Sequence, residues 1–370
     1  MSLDIREASA LFDPARLKLA RQLSGWSRAE LARRAGLSAA AISQFEGGSS
    51  RPKPATLAEL ALVLGMPARF FAAGRSDTLI PHTEESFFRS LRRTSQRDRE
   101  RAAAHAGLLA ELVRAIETRV LLPAFEPIDD LVLDAGEPAE RAEHAAKLLR
   151  ERWAVADGPI DDVVRLLEQH GVVVCRVPLL TRDVDAFSWT SGPRPLVLLG
   201  ADKGVFERSR LDAAHEVGHV LMHAHDPEPA QANMERQAQR FGAALLFPAE
   251  ALRDEWPRSG RLDWGRLLSL RNRWGISMAA ILYRVRELEL VSATAYENAM
   301  KYLSHKGWRV REPGAARQPE QPALLAEALA LLAGAGTSLD ALADEANLPS
   351  SDDLMTRLGV EARGRLTVAL

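Results

Sequence analysis

A single cysteine, Cys175, stands in the 370 residues, so no intrachain disulfide framework holds this chain together. It lies in the apolar run VVVCRV, where packing is its expected role. No stretch of about 18 apolar residues exists to span a bilayer, and the acid-containing start MSLDIREASALF is not a secretory signal. The expected location is therefore the cytoplasm, with no membrane partner. Charge of one sign is also missing: 48 Lys and Arg face 50 Asp and Glu, for a net −2, so any polyanionic partner must be read from one segment. With 46% hydrophobic and 26% charged positions, a collagenous or disordered chain is excluded. The length suggests two or three domains.

What is present falls into four stretches. Residues 1–75 are helical in pattern and carry 11 cations against 6 anions, a local +5. Residues 76–150 read as long helices, the longest being FFRSLRRTSQRDRERAAAHAGLLAELVRAIETRV, and form a linker or dimerisation region. A third domain spans 151–310. In it VVRLLEQHG ends a helix at Gly171, VVVCRV is a β-branched strand, and DAFSW and PLVLLG flank the turn TSGPR as a hairpin before helices return. The segment REPGAARQPEQPA has linker composition, and a helical unit fills 320–370. The expected class is mainly α with a small β-sheet (α+β).

In the first stretch Ser27 and Glu30 form a capping box that opens a helix through Leu31, Ala32 and Ala35. Gly36 supplies the left-handed backbone of a tight turn, Leu37 fills the gap between helices, and Ser38 caps AAAISQFEGG. Thr56 and Glu59 make a second capping box before LAELALVLG, which Gly65 closes. Along SRAELARRAGLSAAAISQFEGGSSRPKPATLAELALVLG the chain resembles the phage-repressor-like (XRE) helix-turn-helix family. The resemblance implies a recognition helix at 38–46 in the major groove of double-stranded DNA. Carried over, Ala39, Ala40, Ser43 and Gln44 face the bases, with Ser38 at the helix start. The two alanines can meet only a thymine methyl, and Gln44 alone has the fork that pairs with adenine. Arg28, Arg51 and Lys53 are placed to hold phosphates.

In the third stretch AAHEVGHVLMH places His215 and His219 one helical turn apart, so both imidazoles can reach one ion. Glu216 lies one residue round from His215, suited to take a proton from metal-bound water and pass it to a leaving amine. Three candidates exist for a third ligand. His223 sits about 12 Å further along the same helix, leaving it a supporting, capping or solvated role. His225 has the metzincin spacing, but Met222 stands where that motif needs a chain-reversing Gly. Glu235 is the better choice, because Ala238 and Gly242 in ERQAQRFGAALLFP permit close approach of a second helix.

The blocks RLDAAHEVGHVLMH and ERQAQRFGAALLFP resemble the ImmA/IrrE family of zinc metallo-endopeptidases over roughly 160–290. The resemblance implies Zn²⁺ on His215, His219 and Glu235, Glu216 as general base, and a peptide added at a sheet edge, PLVLLG or DAFSW. The donor set also accepts Mn²⁺ or Fe²⁺. Two functional readings follow. In one, the protein is a transcriptional regulator whose peptidase domain cleaves a protein partner such as a repressor. In the other, the metallopeptidase-like domain only senses a ligand or metal. Symmetric half-sites make a homodimer the expected DNA-bound form.

Other residues carry weaker expectations. Tyr283 reads as a core tyrosine, with oxyanion stabilisation as its alternative, and Arg208 and Arg210 as solvated. Trp274, Ile276, Ile281, Leu282 and Val285 are expected in the core. Finally, SLDALADEANLP echoes SRAELARRAGLS, with Asn347 in place of Gly36. Asp340, Asp344, Glu345, Asp352 and Asp353 would repel phosphates there, so the unit reads as a degenerate helix-turn-helix used for protein contact.

Overall fold

The computed structural model describes residues 3–72, 95–128, 138–178, 185–190, 192, 194–201, 204–223, 231–257 and 262–360. His225, Val184 and two residues of the turn TSGPR lie outside them. The chain is mostly helical with a small three-stranded sheet. In chain order come α1 (Ile5–Ala10), α2 (Pro14–Leu23), α3 (Arg28–Arg34), α4 (Ala39–Glu46), α5 (Pro54–Leu64) and α6 (Gln96–Glu117). Next are α7 (Pro138–Arg152), α8 (Val163–Gln169), β1 (Val173–Val177), β2 (Ala186–Trp189), β3 (Leu196–Gly200) and α9 (Phe206–Met222). Then follow α10 (Gln231–Leu246), α11 (Ala249–Glu255), α12 (Trp264–Trp274), α13 (Met278–Glu287), α14 (Ala293–His305), α15 (Leu324–Gly334), α16 (Leu339–Glu345) and α17 (Ser351–Leu358). These elements pack as two compact units, one of residues 1–123, 173–202 and 322–370, the other of 124–172 and 203–321.

The first unit has one continuous core to which all three of its chain segments contribute. Leu17, Leu31 and Ile42 join Leu108 and Leu112 of α6, Val173 and Leu198 of the sheet, and Leu342 and Leu354 near the C-terminus. Strand β3 is central, parallel to β1 (Val173 opposite Leu196) and antiparallel to β2 (Ala186 opposite Leu199). PLVLLG is thus no edge, and of the two strands considered for peptide addition only β2 lies at one. Helix α6 starts at the Ser95 cap, and the expected helical residues before it lie outside the described ones. Arg16 on α2 and Glu111 on α6 form an ion pair of 2.7 Å with side chains only 2% and 9% exposed, pinning the N-terminal helices to α6.

His105, buried in the middle of α6, is bonded through Nδ1 to the Arg101 carbonyl. Burial, reinforced by the nearby Arg101 and Arg357, lowers its pKa from the usual 6.5 to about 4. The folded form therefore resists protonation that the unfolded chain accepts. Its contribution is whole above pH 6.5 and is lost as the pH falls towards 4. Urea unfolding at pH 4.5 should show this unit weakened by about 2–3 kcal/mol relative to pH 7. A His105→Gln variant should lose that much of the pH dependence, and an unchanged dependence would refute the assignment.

The C-terminal helices repeat backbone details of the N-terminal ones. Ser27 and Ser338 both cap through the amide three residues on, and Gly36 at φ 63° is matched by Asn347 at φ 51°. The turn bond from Leu37 N to Ala32 O, 2.9 Å, has its counterpart from Leu348 N to Ala343 O, 2.8 Å. The parallel extends one helix upstream of the sequence echo, where Gly25 (φ 65°) and Gly336 (φ 86°) close α2 and α15. The acidic residues of α16 are partly engaged: Asp344 pairs with Arg69 and Glu345 with Arg119.

In the second unit α10 packs against both α9 and α7. The side chain of Arg284, fully buried on α13, donates to the Glu143 carboxylate of α7 at 2.7 and 2.8 Å and to the Phe247 carbonyl. Trp274, Ile276, Ile281, Leu282 and Val285 are buried, but they span two helices, because Gly275 ends α12 in the left-handed region and Ser277 caps α13. Arg210 is not solvated. It is 2% exposed, held by the Glu320 carboxylate and the carbonyls of Ile160 and Asp161. The segment 311–323 is correspondingly no free linker. Glu320 also accepts from the amides of Val163 and Val164, and Glu312 joins Arg271 to the start of α13.

Candidate metal centre and nucleic-acid interface

Two helices build the metal centre. His215 and His219 share one face of α9, and Glu235 comes from the first turns of α10. The helices approach closely because Gly218 and Gly242 have no side chain: a Cβ at Gly242 would lie 2.9 Å from the His215 amide nitrogen, one at Gly218 3.0 Å from the Phe241 ring. Gly242 was legible as a contact residue, whereas Gly218, hidden inside the His–Glu–x–x–His motif, was missed.

The donor atoms form a compact triangle. Nε2 of His215 and Nε2 of His219 are 3.0 Å apart, and Glu235 oxygens lie 3.6 Å from the first and 3.5 Å from the second. Ligands 2.0–2.1 Å from a tetrahedral zinc are about 3.3 Å from one another, and the three observed edges bracket that value. These residues can hold a metal ion. Two imidazoles and one carboxylate leave a fourth position open, unlike the four-donor sets of structural zinc sites.

The electrostatics agree. Burial disfavours charge on His215, yet hydrogen bonding to Glu235 and the nearby Glu216, Glu235 and Asp212 carboxylates outweigh it and raise its proton affinity. A field that favours a proton there also favours a divalent cation. His219 is pushed well below its usual pKa by burial and by the adjacent His215 and His223, which keeps it in the neutral, ligating form. Glu216 is 3% exposed and close enough to act on His215.

His223, eight residues after His215, is neither ligand nor solvated. It is the C-cap of α9, 2% exposed, with Nδ1 3.1 Å from Nδ1 of His219 and Nε2 3.0 Å from Oε1 of Gln237. One tautomer assignment satisfies the chain: His219 Nδ1–H donates to His223, and His223 Nε2–H donates to Gln237. This leaves Nε2 of His219 free to ligate. Gln237 had no sequence signal: two residues from Glu235, it does not share a helix face with it. Tyr283 is 42% exposed and bonds to Glu287, so it is no core tyrosine.

The nucleic-acid candidates lie in the first unit. Ser38 caps α4, and Ser38, Ala39, Ala40, Ser43 and Gln44 are all exposed, while Ile42 is fully buried behind them. Helix α5 begins at Pro54, not after a Thr56 cap: proline's fixed φ suits a first helical position, which leaves exposed Lys53 as the capping residue. Arg51 is exposed and donates to the Ala10 carbonyl. Arg28 pairs with Glu46 at 2.7 Å, a carboxylate it shares with Arg21. Glu46 was not anticipated, since its partners lie 18 and 25 residues away.

A capped, exposed helix on a tight left-handed turn is the geometry of a helix-turn-helix, and the two-helix His/His/Glu group is one that could hold a metal ion. Residues 17–71 match the helix-turn-helix family model, and residues 167–286 match that of the IrrE N-terminal-like domain. The chain therefore joins an XRE-type helix-turn-helix to an ImmA/IrrE-like peptidase domain. The second match runs from α8 through the three strands to α13. No curated protein matches the chain. Among the described residues no single helix is long and apolar enough to cross a membrane.

Proposed function

We propose that this protein is a transcriptional regulator, active as a homodimer in the compartment that holds its DNA, whose central domain is a zinc-dependent endopeptidase acting on a protein partner. The observation that carries the reading is the three-donor triangle, sized for a tetrahedral ion and one donor short of a closed site, with Glu216 buried beside it. Bound zinc supplies Lewis acidity to a peptide carbonyl and acidifies a water. His215, His219 and Glu235 fix that position, and the His223–Gln237 relay holds the His219 ring in its ligating tautomer. Glu216 takes the proton of the attacking water and delivers it to the leaving amine. On α4, Gln44 reads a base while Lys53 and Arg51 hold the DNA backbone. Dimerisation sets two such helices one DNA turn apart.

The test pairs metal content with cleavage. Zinc-reconstituted wild type and Glu216→Gln should each hold about one zinc, and His219→Ala much less. Comparison of protein N-termini in cells expressing wild type or Glu216→Gln should show a cleavage lost with the carboxylate, slowed at least about 100-fold. Wild type that takes up no metal would end the enzyme reading.

A second reading is favoured by a cavity of about 580 Å³ in the second unit, walled by Lys147, Arg150, Glu250 and by Arg240 and Ala244 of α10. A small ligand there would bear on the helix that carries Glu235, making the domain a sensor. A cellular response that survives Glu216→Gln would select it.

A further inference from the structure

The sequence stretch KYLSHKGWRVR, residues 301–311, contains four cations, a histidine and no acid. Lys301, Lys306, Arg309 and Arg311 are all exposed, and none has an ion pair among the described residues. Across the helix-turn-helix, by contrast, Arg21 and Arg28 are bound to Glu46, and Arg33 and Arg34 to Glu30. Among the described residues of the second unit, the end of α14 therefore carries four exposed cations without an ion pair.

The turn that carries these cations is held in place. Gly307, at φ 70°, reverses the chain after α14, and the Trp308 amide bonds back to the Leu303 carbonyl at 2.9 Å. The reversal seats Trp308 edge-on against Tyr302 and Trp264, ring centroids 5.8 and 6.0 Å away, and Trp264 stacks on Tyr302 at 4.4 Å. Lys306 rests over the Tyr302 ring. A helix C-terminus attracts cations, which accounts for His305 and Lys306. Arg309 and Arg311 lie beyond the helix, where that attraction has faded, and Val310 between them is 88% exposed.

We propose that Lys301, Lys306, Arg309 and Arg311 form a second DNA contact, one that grips the phosphate backbone of a duplex without reading sequence. Charge complementarity calls for a polyanion, and the helix-turn-helix of the same chain brings duplex DNA to the molecule. Trp264 and Tyr302 stack on each other and Lys306 covers Tyr302, so these rings brace the turn and are not offered to unpaired bases. The proposal rests on the DNA-binding reading of the helix-turn-helix and adds to it.

The test uses the full chain and a 30-base-pair duplex of arbitrary sequence, with binding followed by anisotropy from 50 to 300 mM salt. Each phosphate contact contributes about −0.9 to the slope of log K against log salt. Replacing all four cations by Gln should weaken binding at least about tenfold at 50 mM salt and make the slope shallower by about two to four. A variant that exchanges Lys for Arg and Arg for Lys at the same positions should keep the wild-type slope. An unchanged slope in the Gln variant overturns the proposal. If that variant has instead lost binding to phosphatidylserine vesicles, the patch is a lipid surface. Wild type without duplex binding would overturn the proposal and the helix-turn-helix reading together. A slope reduced by Arg51→Gln with Lys53→Gln, but not by the four patch changes, would overturn the patch alone.

Discussion

Replacing Gly242 with Val should abolish metal binding although no ligand side chain is changed. The first added carbon would meet the His215 backbone nitrogen at 2.9 Å and the Ala214 carbonyl carbon at 3.2 Å, and backbone cannot rotate aside as a side chain can. Helix α10 must move away from α9 and carries Glu235 with it. Glu235 oxygens now lie 3.5–3.6 Å from both imidazole nitrogens, so even a 1 Å retreat takes the carboxylate out of reach of an ion seated on the two histidines. Overpacking of this kind costs about 1–3 kcal/mol for added methylenes, and more when the obstacle is main chain. Elemental analysis should find the variant nearly metal-free, and its thermal midpoint should fall by several degrees. Gly242→Ala should do the same in smaller measure. A Gly242→Val protein that holds a full zinc would show that the helices can separate without opening the triangle.

The second large effect is expected at the Arg16–Glu111 pair. Both side chains are nearly inaccessible, and the guanidinium also faces the Phe70 ring at 5.2 Å. Glu111→Leu leaves an arginine charge buried without its carboxylate, a change that costs about 3–5 kcal/mol. Arg16→Met should cost a similar amount. The double change Arg16→Met with Glu111→Leu removes both charges and should recover most of the loss, since apolar substitutes for a buried pair are often neutral. Denaturant unfolding of the three variants gives the coupling directly. Equal losses in the single and double variants would mean the pair holds α2 to α6 by shape alone.

The parts legible in sequence are those written in local chemistry. The Ser27 and Ser38 caps, the left-handed Gly36 and Gly65, the hairpin of DAFSW and PLVLLG, and two histidines one turn apart all depend on residues within a few positions of each other. What stayed hidden depends on pairing at long range. Arg210 looked like a surface arginine because its partner, Glu320, is 110 residues away in a stretch that composition marks as linker. Arg28 looked free because Glu46 sits on the next helix. The Thr56 capping box was outcompeted by Pro54, a stronger start signal placed two residues earlier. At the candidate metal centre the histidine spacing pointed to two side chains directly, and the third followed from Ala238 and Gly242, which permit close approach of a second helix. The His223–Gln237 relay, spanning 14 residues and two helices, was beyond reach.

The first unit has a consequence for how the protein is made. Its core takes residues from the beginning, middle and end of the chain, with Leu354 and Leu358 as buried as Leu17. During synthesis at about 5–20 residues per second, α4 emerges early but the core beneath it stays incomplete until α15, α16 and α17 have left the ribosome. Premature termination between residues 47 and 322 would deliver a chain that contains α4 and lacks part of the core that steadies it. A fully packed helix-turn-helix would then wait on a segment that is made long after it.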